Sequence, residues 1–120
     1  MVDFACKEFE LDAVIKCGLN LTKAELLIMK YFLKNNEEWF TTDSISEGLV
    51  LNQSTVQRAV KKLHEKDILA RSQQNLDRGG YVFVYRIKSK TQIQEVIMQT
   101  VRMWVNRLEQ ELTRWAEEER

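Results

Sequence analysis

The side chains best suited to bind something lie between Asn52 and Leu63, where amides, hydroxyls and cations interleave with aliphatic residues. Val56, Val60 and Leu63 recur at i, i+4 and i+7, the spacing of one buried stripe on a helix. Gln53, Ser54, Thr55, Gln57, Arg58, Lys61 and Lys62 therefore fall on the other faces. These residue types suit a DNA duplex. The major groove is about 12 Å wide, admits one helix, and presents donor and acceptor patterns that amide and guanidinium groups match in pairs. Gln57 can pair with adenine, and Arg58 with guanine or a phosphate. Gln53, Ser54 and Thr55 sit at the helix N-terminus, which approaches the bases and whose dipole favours phosphate. Lys61 and Lys62, a turn further on, are expected to follow the backbone and add affinity rather than sequence information.

Charge supports the same reading. The chain of 120 residues has a formal net charge of zero, but the balance is uneven. From Ser54 to Lys90 there are nine Lys and Arg against three acids, a net +6 that leaves −6 on the remainder. A contiguous basic third on an otherwise acidic chain is an electrostatic footprint for a polyanion. Within it, Asn75-Leu76-Asp77-Arg78-Gly79-Gly80 is a turn cluster. Glycines beside Arg78 let the backbone come close to a partner, so Arg78 and Gly79 are expected to meet the minor groove or a phosphate. Arg71 and Arg86 lie nearer the strand bases, suited to a phosphate contact or a plain surface ion pair.

Other chemistries have little to stand on. Cys6, Cys17 and a single His64 supply no metal-ligand set and no disulfide framework. The two cysteines are expected to be small buried apolar residues rather than a redox pair. There is no nucleophile–base set and no phosphate-cradling glycine loop between strand and helix, so no catalysis, cofactor or metal is expected. The longest apolar run is the five residues Tyr81 to Tyr85, far short of a membrane span, and the N-terminus lacks a signal-peptide pattern. A cytoplasmic protein is expected.

The elements that would position these residues can be read in order. Phe4 to Cys17 reads as a helix stopped by Gly18. Thr22 and Glu25 form a capping box, flanked by Leu21 and Leu26 at the staple positions, and start a central core helix from Lys23 to about Asn35. Thr41-Thr42 caps a short helix bearing Ile45 and Leu49, and Asn52 or Ser54 caps the next. Asp67 ends that helix in a left-handed backbone. Ile68–Gln74 and Tyr81–Ile87 read as two strands of a hairpin, and Thr91 to Trp115 or beyond as one long helix.

This order is that of a winged helix-turn-helix: mainly α with a small β-hairpin, followed by a long C-terminal dimerisation helix. The segment TDSISEGLVLNQSTVQRAVKKL (residues 42–63), with EKDILAR (65–71) after it, resembles the helix-turn-helix and wing entry of the MarR/TrmB-type regulators. The resemblance implies a transcriptional regulator with its recognition helix in the major groove and its wing on the minor groove or backbone. It also implies that Asp77 orients Arg78, and that a small-molecule effector binds between the body and the dimer helix. Two glycines usual in those families are Val50 and Asp67 here. A β-branched residue at positive φ is strained, so the turn at Val50 is expected to take a different local geometry.

Three segments follow: an N-terminal helix (1–18), a winged-helix DNA-binding domain (19–90) and a C-terminal dimerisation helix (91–120). In the last, Ile97, Val101, Trp104 or Val105, Leu108, Leu112 and Trp115 recur at spacings of three and four. A lone helix cannot hide this stripe against so small a body, and a monomer rarely exposes an apolar patch of that size. The helix is therefore expected to pair with its symmetry mate, antiparallel or crossed, helped by the N-terminal helix. Such a homodimer presents two recognition helices about 34 Å apart, fit for successive major grooves of a palindromic operator. The alternative is a winged-helix module that docks proteins without specific DNA binding.

Overall fold

The computed structural model describes residues 2–4 and 7–118. Two three-residue strands, β1 (Val2–Phe4) and β2 (Lys7–Phe9), pair antiparallel at the start. Five helices and a second hairpin follow: α1 (Leu11–Gly18), α2 (Lys23–Lys34), α3 (Thr42–Leu49), α4 (Gln53–Glu65), β3 (Leu69–Asn75), β4 (Tyr81–Ile87) and α5 (Lys90–Glu117). Mainly helical, with a two-stranded wing and a long terminal helix, the chain is a winged helix-turn-helix.

The N-terminal expectation needs correction. Helical structure begins only at Leu11, and the residues before it form the β1–β2 pair. Nor is Gly18 the stop signal. The left-handed residue after α1 is Asn20, at φ 55°, and the Leu21 N–H donates back to the Lys16 carbonyl at 2.8 Å. Asn tolerates this backbone because its short polar side chain can bond locally. Gly18 does other work: a Cβ there would sit 3.2 Å from Ile97 Cγ2, so glycine lets α1 approach α5 closely. Cys17, expected to be buried, lies exposed beside that contact, while Cys6 falls outside the described residues.

The core is one cluster. Ile28, Met29 and Phe32 of α2, Ile45 of α3, and Val56, Ala59, Val60 and Leu63 of α4 are essentially inaccessible. Leu69, Tyr85 and Ile87 close it from the wing base, and Ile93 from the first turn of α5. The α2 start has both halves of its capping box, with the Glu25 N–H donating to Thr22 Oγ1 and the Thr22 N–H to Glu25 Oε1. Beyond the hairpin, Phe40 exchanges two 2.8 Å backbone hydrogen bonds with Tyr85 and packs its ring tilted against Tyr31 and edge-to-face with Phe32. This bridge ties the α2–α3 loop to the wing.

Val50, between α3 and α4, adopts the left-handed region at φ 53°, contrary to the expectation of a different turn geometry. Two contacts impose it: the Leu51 N–H donates to the Ser46 carbonyl, and Ser46 Oγ donates to the Leu51 carbonyl. Left-handed backbone costs an L-residue roughly 1–2 kcal/mol, and Val50 is 90% exposed, so its side chain returns little packing. Val50→Gly is therefore expected to stabilise the fold by about 1 kcal/mol in urea denaturation. A lower midpoint would show that the turn is not strained.

Candidate nucleic-acid interface

Asn52 caps α4, its side-chain oxygen accepting from the Ser54 N–H at 2.9 Å. The aliphatic stripe of α4 faces the core, and the opposite stripe consists of Ser54, Gln57, Arg58 and Lys61 at i, i+3, i+4 and i+7. All four are exposed, and Gln57, Arg58 and Lys61 make no hydrogen bond or ion pair among the described residues. Ser54 Oγ turns back to the Asn52 side chain at 2.7 Å. Thr55 is half-buried at the edge of the stripe.

The two residues flanking this stripe have structural partners. On one edge Gln53 Nε2 donates to Thr42 Oγ1 at 3.0 Å and to Asp43 Oδ1 at 2.7 Å, bracing the start of α4 against the start of α3. On the other, Lys62 Nζ donates to Glu25 Oε1 at 2.8 Å and to the Asn20 carbonyl at 2.6 Å, bracing α4 against α2. Burial pushes the Glu25 carboxyl up. The hydrogen bond from Lys62, the Thr22 backbone N–H and the Lys62 charge outweigh that, holding it below the usual carboxylate range. The helix is thus fixed at its edges, and Gln57, Arg58 and Lys61 of its outward stripe are left unpaired among the described residues. Neither brace is visible in sequence spacing, since Lys62 and Glu25 are 37 residues apart.

The wing carries the rest. Five residues, Leu76 to Gly80, join β3 to β4, with Gly79 at φ 90° and Gly80 at φ 80°. A Cβ at Gly79 would meet nothing within 4 Å, so the tip stands clear of the body. Arg78 is exposed there and makes no ion pair with Asp77 among the described residues, so the implied orienting role of Asp77 has no contact behind it. Arg71 and Arg86 are exposed, but neither makes a surface ion pair among the described residues. The Arg71 guanidinium lies 4.3 Å from the Phe83 ring centroid, and that of Arg86 lies 4.9 Å from Trp39. Stacking leaves guanidinium edges free to donate while restricting their motion.

Where α5 leaves the body, an open cavity of about 480 Å³ is lined by Leu33, Asn36, Glu37, Arg86, Lys88 and Lys90. Further on, α5 is uncovered. Ile93 is buried and Val96, Ile97 and Val101 are half-buried, but Met98, Trp104, Val105, Leu108, Leu112 and Trp115 are all exposed. The radius of gyration is 18.5 Å, against about 14 Å for a compact domain of this length, because α5 projects from the body. No helix is long and apolar enough to cross a membrane, and no cluster of potential metal ligands occurs among the described residues.

Comparison with known proteins agrees with this geometry. A Methanosarcina mazei Go1 protein described as a possible transcriptional regulator has a solved structure with 60% identity and a TM-score of 0.88, the match covering 96% of each chain. An uncharacterised Methanocaldococcus jannaschii protein is 27% identical over 113 residues, 94% of this chain and 81% of its own. At 14% identity, where likeness shows the fold alone, Staphylococcus aureus MepR F27L bound to an oligodeoxyribonucleotide superimposes with a TM-score of 0.55 over 86% of this chain and 71% of its own. The fold is thus a winged helix like that of MarR-family regulators. Residues 8–108 match the DnaD N-terminal domain, and the chain belongs to that family.

Proposed function

We propose that the protein is a sequence-specific double-stranded DNA-binding transcriptional regulator, acting as a homodimer without catalytic activity. The observation that carries the reading is the outward stripe of α4: Gln57, Arg58 and Lys61 are exposed and unpaired among the described residues, while Gln53 and Lys62 beside them brace the helix against α3 and α2. In this reading α4 enters the major groove, Gln57 and Arg58 reach base edges, and Lys61 meets a phosphate. The N-terminal residues Ser54 and Thr55 approach the backbone. Gln53 and Lys62 contribute by positioning the helix more than by direct contact. Arg78 and Gly79 at the wing tip reach the minor groove or a phosphate, with Arg71 behind them on the Phe83 ring. The likeness in fold to MepR, which has been solved with an oligodeoxyribonucleotide, and the 60% identity to a possible transcriptional regulator support the assignment.

The dimer rests on the apolar face of α5 from Val101 through Trp104, Val105, Leu108 and Leu112 to Trp115; Ile97, expected to join it, packs on the body instead. Trp104 and Trp115 alone are 58% and 68% exposed, which a soluble monomer rarely tolerates in one continuous stripe. An effector, if the protein takes one, has the cavity between the body and the base of α5 available to it. Selection of bound sequences from random duplex DNA tests the function directly. A two-fold symmetric motif is expected to be enriched, and a pool that stays random after repeated rounds would refute specific DNA binding.

A further inference from the structure

Beyond Ile97 six apolar residues of α5 keep a strict heptad, while Met103 and Trp104 lie exposed outside it. Met98, Val105 and Leu112 occupy one seam position, and Val101, Leu108 and Trp115 the other, with alternating steps of three and four. This seam lies about 95° around the helix from the face that Ile93, Val96 and Ile97 turn to the body, taking 100° per residue. A partner helix can therefore lie alongside without displacing the body. We infer that α5 pairs antiparallel with α5 of a second copy, Val105 opposite Leu108, and that this register sets the two DNA half-sites about two helical turns apart. The inference rests on the dimer and the DNA-binding role proposed above.

Charge selects both the direction and the register. With Val105 facing Leu108, all six seam residues are matched: Met98 with Trp115, Val101 with Leu112, Val105 with Leu108, each twice by symmetry. The flanking positions then bring Arg102 opposite Glu109 of the second copy, again twice, with no like charges facing. Sliding the helices by one heptad either way loses a third of the layers and sets Arg102 against Arg102, or Glu109 against Glu109. A parallel pair puts Arg102 beside Ile97 and Glu109 beside Trp104, leaving both charges unmatched. Arg102 makes an exposed ion pair with Glu95 in the single chain, which is readily exchanged.

The register has a consequence for DNA. The two-fold axis falls between Asn106 and Arg107, so Lys90, where α5 begins, is about 25 Å from it at 1.5 Å per residue. The two bodies then start about 50 Å apart. The chain is 72 Å long and α5 takes about 42 Å, leaving about 30 Å of body beyond Lys90. The body also covers α5 as far as Ile97, about 10 Å in, so the body centres are about 70 Å apart. One helical turn of DNA, about 34 Å, is too short for this span, and two turns, about 68 Å, fall within it.

Disulfide trapping tests the register in a Cys6→Ser/Cys17→Ser background. The double variant Val101→Cys/Leu112→Cys is expected to oxidise to a covalent dimer, while Val101→Cys alone stays a single chain on a denaturing gel. Cross-linking of Val101→Cys alone means a parallel pair and overturns the register while leaving the dimer standing. No cross-link in either, with a dimer still seen by sedimentation, also overturns the register; a monomer by sedimentation overturns the dimer itself. A second arm uses the charges: Arg102→Glu should weaken dimerisation about tenfold, and Arg102→Glu/Glu109→Arg should restore it. Without that rescue the proposed charge pairing is wrong. Finally, duplexes with half-sites centred 21 base pairs apart should bind more tightly than those at 10. Preference for 10, with the cross-link present, overturns the spacing alone.

Discussion

Arg58→Ala is expected to weaken binding to the selected duplex about 10- to 100-fold, equivalent to ~1–3 kcal/mol, and to relax preference at one base position. Arg78→Ala should cost a comparable amount. Arg58 stands exposed on α4 with no partner among the described residues, so its removal should leave stability within about 0.5 kcal/mol of the parent. Lys62→Ala provides the contrast. It deprives Glu25 of its cationic partner and frees one edge of α4, so its main effect should appear in denaturation rather than in the base preference. Fluorescence anisotropy with matched and mismatched duplexes, alongside urea melts, separates these outcomes. Unchanged affinity in both Arg58→Ala and Arg78→Ala would remove the stripe and the wing tip from the interface.

Leu108→Glu is expected to abolish the dimer at micromolar concentration, raising its dissociation constant at least 100-fold. Leu108 is 42% exposed in the single chain, so a carboxylate there is tolerated by the monomer. Buried in a helix pair, the same carboxylate has no partner, and an uncompensated buried charge costs ~3–5 kcal/mol. Sedimentation of parent and variant measures this directly. Affinity for a symmetric operator should fall with it, since the two recognition helices no longer bind as a unit. A Leu108→Glu variant that still sediments as a dimer would place the interface elsewhere.

The parts of the fold written in local sequence were readable from it. The Thr22–Glu25 box starts α2 as its spacing predicts, β4 runs from Tyr81 to Ile87, and the apolar period of α4 orients its polar stripe outward. What was not readable depends on tertiary contacts. Val50 is forced left-handed by Ser46 and Leu51, overriding the preference of a β-branched residue. The first residues pair as β1 and β2 instead of extending α1, a choice that three-residue strands hardly signal in their pattern. Sequence alone offers seven polar side chains of α4 as candidate contacts. Only the positions of Thr42, Asp43, Asn20 and Glu25 divide them into braces and a free face. By sequence, Arg71 and Arg86 suit either a phosphate contact or a surface ion pair, and it is cross-strand packing and the α2–α3 loop that supply their aromatic partners.

The central claim is that the free stripe of α4 and the wing tip together grip a duplex through its phosphates as well as its bases. Titration of the intact protein with a selected duplex at several salt concentrations tests this most directly. The account predicts that log affinity falls linearly with log salt, at a slope of about −0.9 for each phosphate contacted, and that Lys61→Ala reduces that slope by about one. Weak binding that hardly changes with salt, and is indifferent to Lys61, would contradict it.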